Sequence, residues 1–386
     1  MNLKQDDSPP YNPGWGIRPP YLAGRENILD AFDLALKSGP RNPRFIGALI
    51  GERGVGKTVL LNEVGDKART LGWPVIARQI TSGESFLVPL LYELLSEAGS
   101  KRSQIAKRLK EIDVELTLEL DAKVAKIGAT ARKTAPKRSE FSDLAKQALI
   151  EVGSRAQKSK RGVLITIDEM HEVDKLDELA ALASALQQVV MKLSIPVSVQ
   201  MAGLPIMRSV LKSAGTYLER LTYVEIGSLG RDSTATAFLL PAQERGVIIE
   251  ATALVQMIEA ADGYPYLVQL IGYHTWVAKG NNEKIETEAA RIGIATAQKQ
   301  MEGLFLDRWN SLSNLEQSMI KVVALAGGMT TSDQVSKALK RSTEALGSTR
   351  ASLINKRGLL HAPRRGELGI SLPGFSTWLS NKLTPR

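Results

Sequence analysis

The run Gly51-Glu52-Arg53-Gly54-Val55-Gly56-Lys57-Thr58 has the residue types and spacing to hold a chain of phosphates. Its glycines let the backbone curl so that successive N–H groups point inward at an anion. The ammonium of Lys57 can reach the β- and γ-phosphates, and the hydroxyl of Thr58 can ligate Mg²⁺. Val59 opens the helix that follows, and that helix adds its positive end to the anion site. The elements needed to position such a loop flank it on both sides. Phe45–Ile50 reads as a short buried strand, and the residues after Val59 read as the first turns of a helix.

A second constellation supplies acids. Val163-Leu164-Ile165-Thr166-Ile167-Asp168-Glu169 is an apolar run that ends in two carboxylates. It has the form of a Walker B strand. Asp168 then holds Mg²⁺, mostly through water, and Glu169 orients and deprotonates the water that attacks the γ-phosphate. An ordinary strand ending in exposed acids has the same pattern, and the complete loop at 51–58 decides between the two. His171 lies just past the pair and reads as a surface or packing residue. ATP and Mg²⁺ are the cofactors this chemistry calls for, and an ATPase is the enzyme it implies.

No N-K-x-D segment is present to read guanine, and there is no ABC-type signature, so GTPase and transporter readings fall. The chain resembles the AAA+ ATPases, in particular the origin-recognition-complex-like ATPases of prokaryotes. Pro19–Glu26 looks like that family's segment before the first helix, and the resemblance places Tyr21 and Leu22 against the adenine. Glu219-Arg220 precedes the strand pattern Leu221–Ile226, and the resemblance makes Arg220 an arginine finger that reaches the γ-phosphate of a neighbouring copy. Ala261–Leu267, with Pro265 in its turn, falls where the family's lid closes over the nucleotide. The lid turn reads Gly-Tyr-Pro-Tyr and lacks the family's sensor 2 arginine. In this respect the chain is similar to the STAND ATPases and transposition regulators of the same superfamily. The strand Val197–Gly203 should end in a polar sensor 1, and it offers only Gln200 or Ser198. These departures imply slow hydrolysis that serves as a switch.

Composition bounds the alternatives. The 386 residues suffice for two to three domains. With 43% hydrophobic and 24% charged residues the chain fits a soluble globular protein. There is no cysteine, which excludes disulfides, zinc fingers and thiol catalysis. The first residues carry no apolar stretch of a signal peptide, and no run is long enough to cross a bilayer, so a cytoplasmic protein with no membrane partner is expected. The formal charge is +9, and it is unevenly spread. Residues 310–386 hold eleven Lys and Arg against four Asp and Glu, and residues 101–160 hold fifteen against eight. Two basic regions on an acidic remainder point to a polyanion partner.

Along the chain, residues 1–18 read as an irregular arm. Residues 19–228 alternate strand and helix as in a parallel sheet covered on both faces, with helices over Glu26–Lys37, Lys57–Leu71, Phe86–Ala98 and Leu176–Leu193. A basic insertion occupies 101–158, in which Val114–Leu120 alternates as a strand and Val124–Ile127 pairs with it. Residues 229–308 read as helices only: Thr252–Ala261, Leu267–Ala278 and Glu283–Trp309, a helical lid. From 309 to 386 the pattern is helix Leu315–Leu325, a turn at 327–330, helix Thr331–Leu339, helix Thr343–Arg357 and two strands around the basic tip Pro363–Gly366. That describes a winged helix. Its third helix enters the major groove with Ser348, Thr349, Arg350, Ser352, Asn355 and Lys356 on or beside the exposed face, and Arg364 and Arg365 grip phosphates.

The expected fold is therefore an α/β P-loop NTPase of AAA+ type, with a parallel-sheet core, a helical lid and a C-terminal winged-helix domain. Two functions remain open. One is an ATP-switched protein that forms homo-oligomers through Arg220 and binds double-stranded DNA, in replication, mobile-element or DNA-remodelling processes. The other is a STAND-like signalling or regulatory ATPase whose tail binds a protein client.

Overall fold

The computed structural model describes residues 8–14, 16–100, 103–112, 138–362, 364 and 366–383. They form two compact units. One comprises Asn27–Ile50 and Leu60–Glu225. The other comprises the chain up to Glu26, Gly51–Val59 and the chain from Ile226 onward.

The first unit is built on strands β1 (Ile46–Ile50), β2 (Val75–Gln79), β3 (Val163–Asp168), β4 (Val197–Gly203) and β5 (Thr222–Glu225). They pair in parallel in the order β2-β3-β4-β1-β5. β1 and β4 are buried along their whole length, and β3 is buried up to its last residue, Asp168. Burial on both faces is why these strands read as unbroken apolar runs rather than as alternating ones. Helices α1 (Glu26–Ser38), α2 (Lys57–Thr70), α3 (Leu87–Glu97), α4 (104–112), α5 (Arg138–Lys158), α6 (Leu176–Leu186) and α7 (Met207–Ala214) follow in chain order. The expected helices at 26, 57, 86 and 176 are all present within a residue or two, α6 running on through a wider turn over Gln187–Lys192. The expected hairpin of Val114–Leu120 with Val124–Ile127 lies outside the described residues.

The start of α3 is capped from a distance. Its first N–H groups, those of Phe86 and Leu87, donate to Glu178 Oε2 at 3.0 and 2.9 Å, and Glu178 is 4% exposed. A helix leaves its first N–H groups without partners, so a buried carboxylate here answers two of them at once.

The second unit contains α8 (Arg231–Glu244), β6 (Ile248–Ile249), α9 (Ala251–Ala261), α10 (Pro265–Lys279), β7 (Lys284–Ile285) and α11 (Thr287–Asn310). Where helices alone were expected, β6 and β7 pair in parallel. This pairing takes Lys284 and Ile285 out of the helical run, so α11 starts at Thr287 rather than Glu283. The chain continues with α12 (Asn314–Leu325), β8 (Met329–Thr331), α13 (Ser332–Leu339), α14 (Gly347–Ala351), β9 (Leu360–His361), β10 (Glu367–Ile370) and α15 (Phe375–Leu383). β10 pairs antiparallel with both β8 and β9. Met329 and Thr330 therefore belong to a third strand and not to the expected turn. The third helix starts at Gly347 rather than Thr343. Phe305 of α11 packs edge-on against Phe375 of α15 at 5.3 Å, inside a core that runs from Tyr11 to Leu379. Among the described residues no helix is long and apolar enough to cross a membrane.

Replacing Glu178 by Ala orphans two buried N–H groups, and we expect unfolding free energy to fall by about 1–3 kcal/mol in urea denaturation. Glu178→Gln, which keeps one acceptor oxygen, should lose less. Equal losses in the two variants would argue for packing alone.

Candidate nucleotide site

The loop between β1 and α2 has the backbone its sequence requires. Gly54 and Gly56 take φ of +78° and +95°, a region that side chains disfavour. The carbonyls of the loop are met by side-chain donors. Lys57 Nζ donates to the carbonyls of Gly51 and Glu52 at 2.9 and 2.7 Å. The Tyr264 hydroxyl donates to the carbonyl of Arg53 at 3.3 Å. Arg25, which is 9% exposed, donates to the carbonyl of Val55 at 3.4 Å and also to that of Gly227. A peptide whose carbonyl is engaged on one side presents its N–H on the other, so this arrangement turns the loop's N–H groups toward a common concavity.

Tyr264 precedes Pro265, which opens α10. Its hydroxyl stands where a Cβ on Gly54 would be placed, and burial pushes its pKa up to about 12. Leu229 N–H donates to the carbonyl of Gly263 at 2.7 Å, which holds the lid turn. Tyr21 is exposed and its hydroxyl donates to Glu26 at 3.3 Å, while Leu22 is half-buried. Arg25 ties this N-terminal segment to the loop. The expected adenine segment, phosphate loop and lid turn thus all lie within one unit.

Glu52 faces the C-terminal part of that unit. Burial raises its carboxyl pKa, and the Ser371 hydroxyl, His361, Lys57 and Arg53 act in the opposite direction. Ser371 and His361 are themselves 3.4 Å apart. Arg308, in the last turn of α11, is half-buried, and burial and then the charge of Arg53 lower its pKa.

In the other unit, parallel pairing sends the carboxyl ends of β1, β3 and β4 to one edge of the sheet. Ile50 stands beside Gly203, and Ile167 stands beside Met201. Asp168 ends β3 there, half-buried, and its Oδ1 accepts the N–H of Glu169 at 2.8 Å. Glu169 adopts φ 54° and ψ 34°, a left-handed conformation that costs a non-glycine residue about 1 kcal/mol or more. His171 is buried beside it, so the surface alternative for this residue falls.

Gln200 and Ser198 are not at this edge. Ser198 Oγ donates to the carbonyl of Phe45 at 2.6 Å, and Gln200 Nε2 donates to that of Arg44 at 2.8 Å. Both are buried ties at the amino end of β1, and so neither is a polar sensor at the carboxyl end of β4. Arg220 is exposed and sits before β5, on the amino side of the sheet.

In the C-terminal part, Ser348, Lys356 and Arg364 are exposed, and Thr349, Arg350 and Asn355 are half-buried. Ser352 departs from expectation. Its hydroxyl donates to Glu316 Oε1 at 2.7 Å, and Glu316 also forms the capping box of α12. Ser352 is half-buried, and that bond engages its hydroxyl with the helix cap. Arg365 lies outside the described residues.

Sequence reasoning missed Arg25, Tyr264 and Arg308 as site residues. Arg25 carried a signal, a basic residue between a glycine and a helix start. Tyr264 lay in the lid turn that the sequence marked, but neither its hydroxyl's contact with the loop nor the place of Arg308 could be read, because both depend on residues far along the chain.

Residues 21–197 match the AAA ATPase domain, and residues 302–379 match a domain of unknown function. No curated protein matches the chain. Among solved structures, a Walker-type ATPase of Pyrococcus abyssi is similar over 94% of this chain and 97% of its own, with 14% identity and a TM-score of 0.57. The RuvB Holliday junction branch migration motor of Thermotoga maritima is similar over 94% and 96%, with 16% identity and a TM-score of 0.43. The Orc1 protein of Aeropyrum pernix, solved in complex with DNA, is similar over 94% and 93%, with 13% identity and a TM-score of 0.44. At such identities the likeness is one of fold.

The half-buried Glu52 makes a testable pH dependence. A carboxyl whose folded-state pKa is raised favours the protonated form on folding. Its contribution to stability is present below the ordinary carboxylate pKa and is lost as pH rises through the folded value. Glu52→Gln keeps the neutral form at every pH. We expect it to melt above the wild type at pH 7, with the gap closing as pH falls below the ordinary carboxylate range. A gap that does not change with pH would remove the charge from this account.

Proposed function

We propose, from the premise that the chain carries an AAA ATPase domain, that it is an ATP-binding and ATP-hydrolysing switch. In this reading residues 19–228 are the ATPase core, 229–308 the lid and 309–386 a winged helix that binds duplex DNA. The observation that carries the reading is the phosphate loop, whose Gly54 and Gly56 take positive φ and whose carbonyls are met by Lys57, Tyr264 and Arg25.

Gly51–Val59 hold the phosphates, with Tyr21, Leu22 and Pro265 around the base. Thr58 and Asp168 are the Mg²⁺ ligands, and a hydroxyl and a carboxylate suit that hard cation. Mg²⁺ neutralises charge on the phosphates when bound. Lys57 and the half-buried Arg53 and Arg308 add positive charge of the protein's own. Glu169 accepts a proton from the attacking water. Arg220 acts on a neighbouring copy in an ATP-joined oligomer. Ser348, Thr349, Arg350, Asn355 and Lys356 face DNA, and Arg364 and Arg365 contact its backbone. The net charge of this tail supports a polyanion partner. The process it serves, whether replication, mobile-element maintenance or DNA remodelling, follows only from the resemblance.

The second reading is a STAND-like regulator whose tail binds protein. The seat of Tyr264 on the loop favours it, because a lid closed by a neutral hydroxyl suits nucleotide exchange as the switching event.

Two measurements test the proposal. Lys57→Ala should weaken binding of a fluorescent ATP analogue at least about tenfold. Glu169→Gln should bind it normally and lose about a hundredfold or more in kcat. Anisotropy of a labelled random duplex at two salt concentrations should show tight, salt-sensitive binding that ATP favours over ADP. Folded protein that binds no duplex in any nucleotide state would overturn the DNA reading and leave the regulator.

A further inference from the structure

We infer that His171 is a positioning residue for Glu169, and that it links the orientation of that carboxylate to the end of β4. The inference rests on the reading of Glu169 as the group that activates water.

The argument starts from the proton on the imidazole. The backbone N–H of Leu204 donates to His171 Nδ1 at 3.3 Å. A nitrogen that accepts a hydrogen bond carries no proton, so the ring proton of the neutral imidazole is on Nε2. Nε2 is buried, and it lies 3.3 Å from Glu169 Oε2 and 3.4 Å from Glu172 Oε1, within ion-pair range of both carboxylates but outside the alignment of a hydrogen bond to either. The donor therefore faces two carboxylates. The His171 side chain is 1% exposed, against 28% for Glu169 and 34% for Glu172. The ring is the fixed partner, and the carboxylates adjust to it.

The space for the ring is built into β4. A Cβ on Gly203 would come within 3.2 Å of His171 Nδ1 and 2.9 Å of Met207 Sδ. A side chain at 203 would push the ring off the Leu204 amide. The position where a polar sensor was expected is occupied instead by a glycine and a backbone N–H. With Ser198 and Gln200 committed to the opposite end of β1, the ring of His171 makes the connection between β4 and Glu169.

The chemical consequence is directional. Glu169 sits in a left-handed turn, where its backbone fixes only the root of the side chain. An N–H held 3.3 Å from Oε2 favours orientations of the carboxylate that turn toward it, and so biases the direction from which it can accept a proton. Misplacing a general base by about 1 Å costs roughly a hundredfold in rate.

Side-chain reach separates positioning from packing. The amide of Gln spans about the distance to Nε2, and that of Asn about the distance to Nδ1. His171→Gln should keep kcat within about threefold of wild type, because its amide N–H still reaches Glu169. His171→Asn can accept the Leu204 N–H but falls short of Glu169, and it should lose about 10–100-fold in kcat. KM for ATP, affinity for a fluorescent ATP analogue and melting temperature should stay close to wild type in both. His171→Leu should match Asn in kcat. Equal kcat for Gln and Asn, or losses that follow melting temperature, would overturn the assignment. Glu169→Gln, assayed beside them, separates this failure from that of the parent reading. If it hydrolyses ATP at the wild-type rate, or if the wild type shows no turnover with or without duplex DNA, the role of Glu169 itself is lost. If it is inactive while Gln and Asn at 171 behave alike, only the positioning role is lost.

Discussion

Parallel pairing is the constraint on which the site depends. Five strands that run the same way deliver their carboxyl ends to one edge, so Ile50, Asp168 and Gly203 meet there although far apart in the chain. The opposite edge is closed by side chains. Thr222 Oγ1, Ser198 Oγ and Gln200 Nε2 donate to the carbonyls of Pro43, Phe45 and Arg44 just before β1. Buried polar groups stay at low cost only when paired. Pairing them at the amino edge anchors β1, the strand that runs into the phosphate loop. Open α/β sheets place ligands outside the carboxyl ends of their strands for the same reason.

The loop itself is held by its carbonyls. A phosphate-binding turn must aim its N–H groups at the ligand, which turns its C=O groups outward, where each needs a donor. Lys57, Tyr264 and Arg25 supply donors to the carbonyls of Gly51, Glu52, Arg53 and Val55. Lys57 therefore does two things. Its ammonium braces the loop mouth, and in the nucleotide reading the same charge answers the phosphates. Glu52 adds a different element, an acid whose burial disfavours its own charge, set against Ser371 and His361.

What was legible in the sequence was contiguous. The loop at 51–58 and the acid-ended strand at 163–169 depend on neighbours in the chain, and the helices beginning near 26, 57, 87 and 176 follow apolar periodicity. What could not be read depended on partners elsewhere. Gln200 and Ser198 are polar residues in the right strand, and nothing local tells which end of the neighbouring strand they reach. β6 and β7 are two residues each, too short for any period to show. Ser352 has the composition of a nucleic-acid contact but meets the carboxylate of Glu316, 36 residues earlier. Tyr264 and Arg25 become loop donors only when the chain from Ile226 onward folds with the chain before Asn27 and with Gly51–Val59.

His171 is the sharpest instance of that limit. The end of β4 carries a glycine followed by a backbone amide, and that amide donates to Nδ1 of a buried ring that lies beside Glu169. Control through a ring is stiffer than control through a flexible amide side chain. The ring has two nitrogens at fixed separation, so any movement of the Leu204 amide relative to β3 changes the donor offered to Glu169. Glu172, at a similar distance on the same nitrogen, provides an alternative acceptor. The ring thus has two carboxylates of comparable reach within ion-pair range, and its place relative to β3 sets the balance between them.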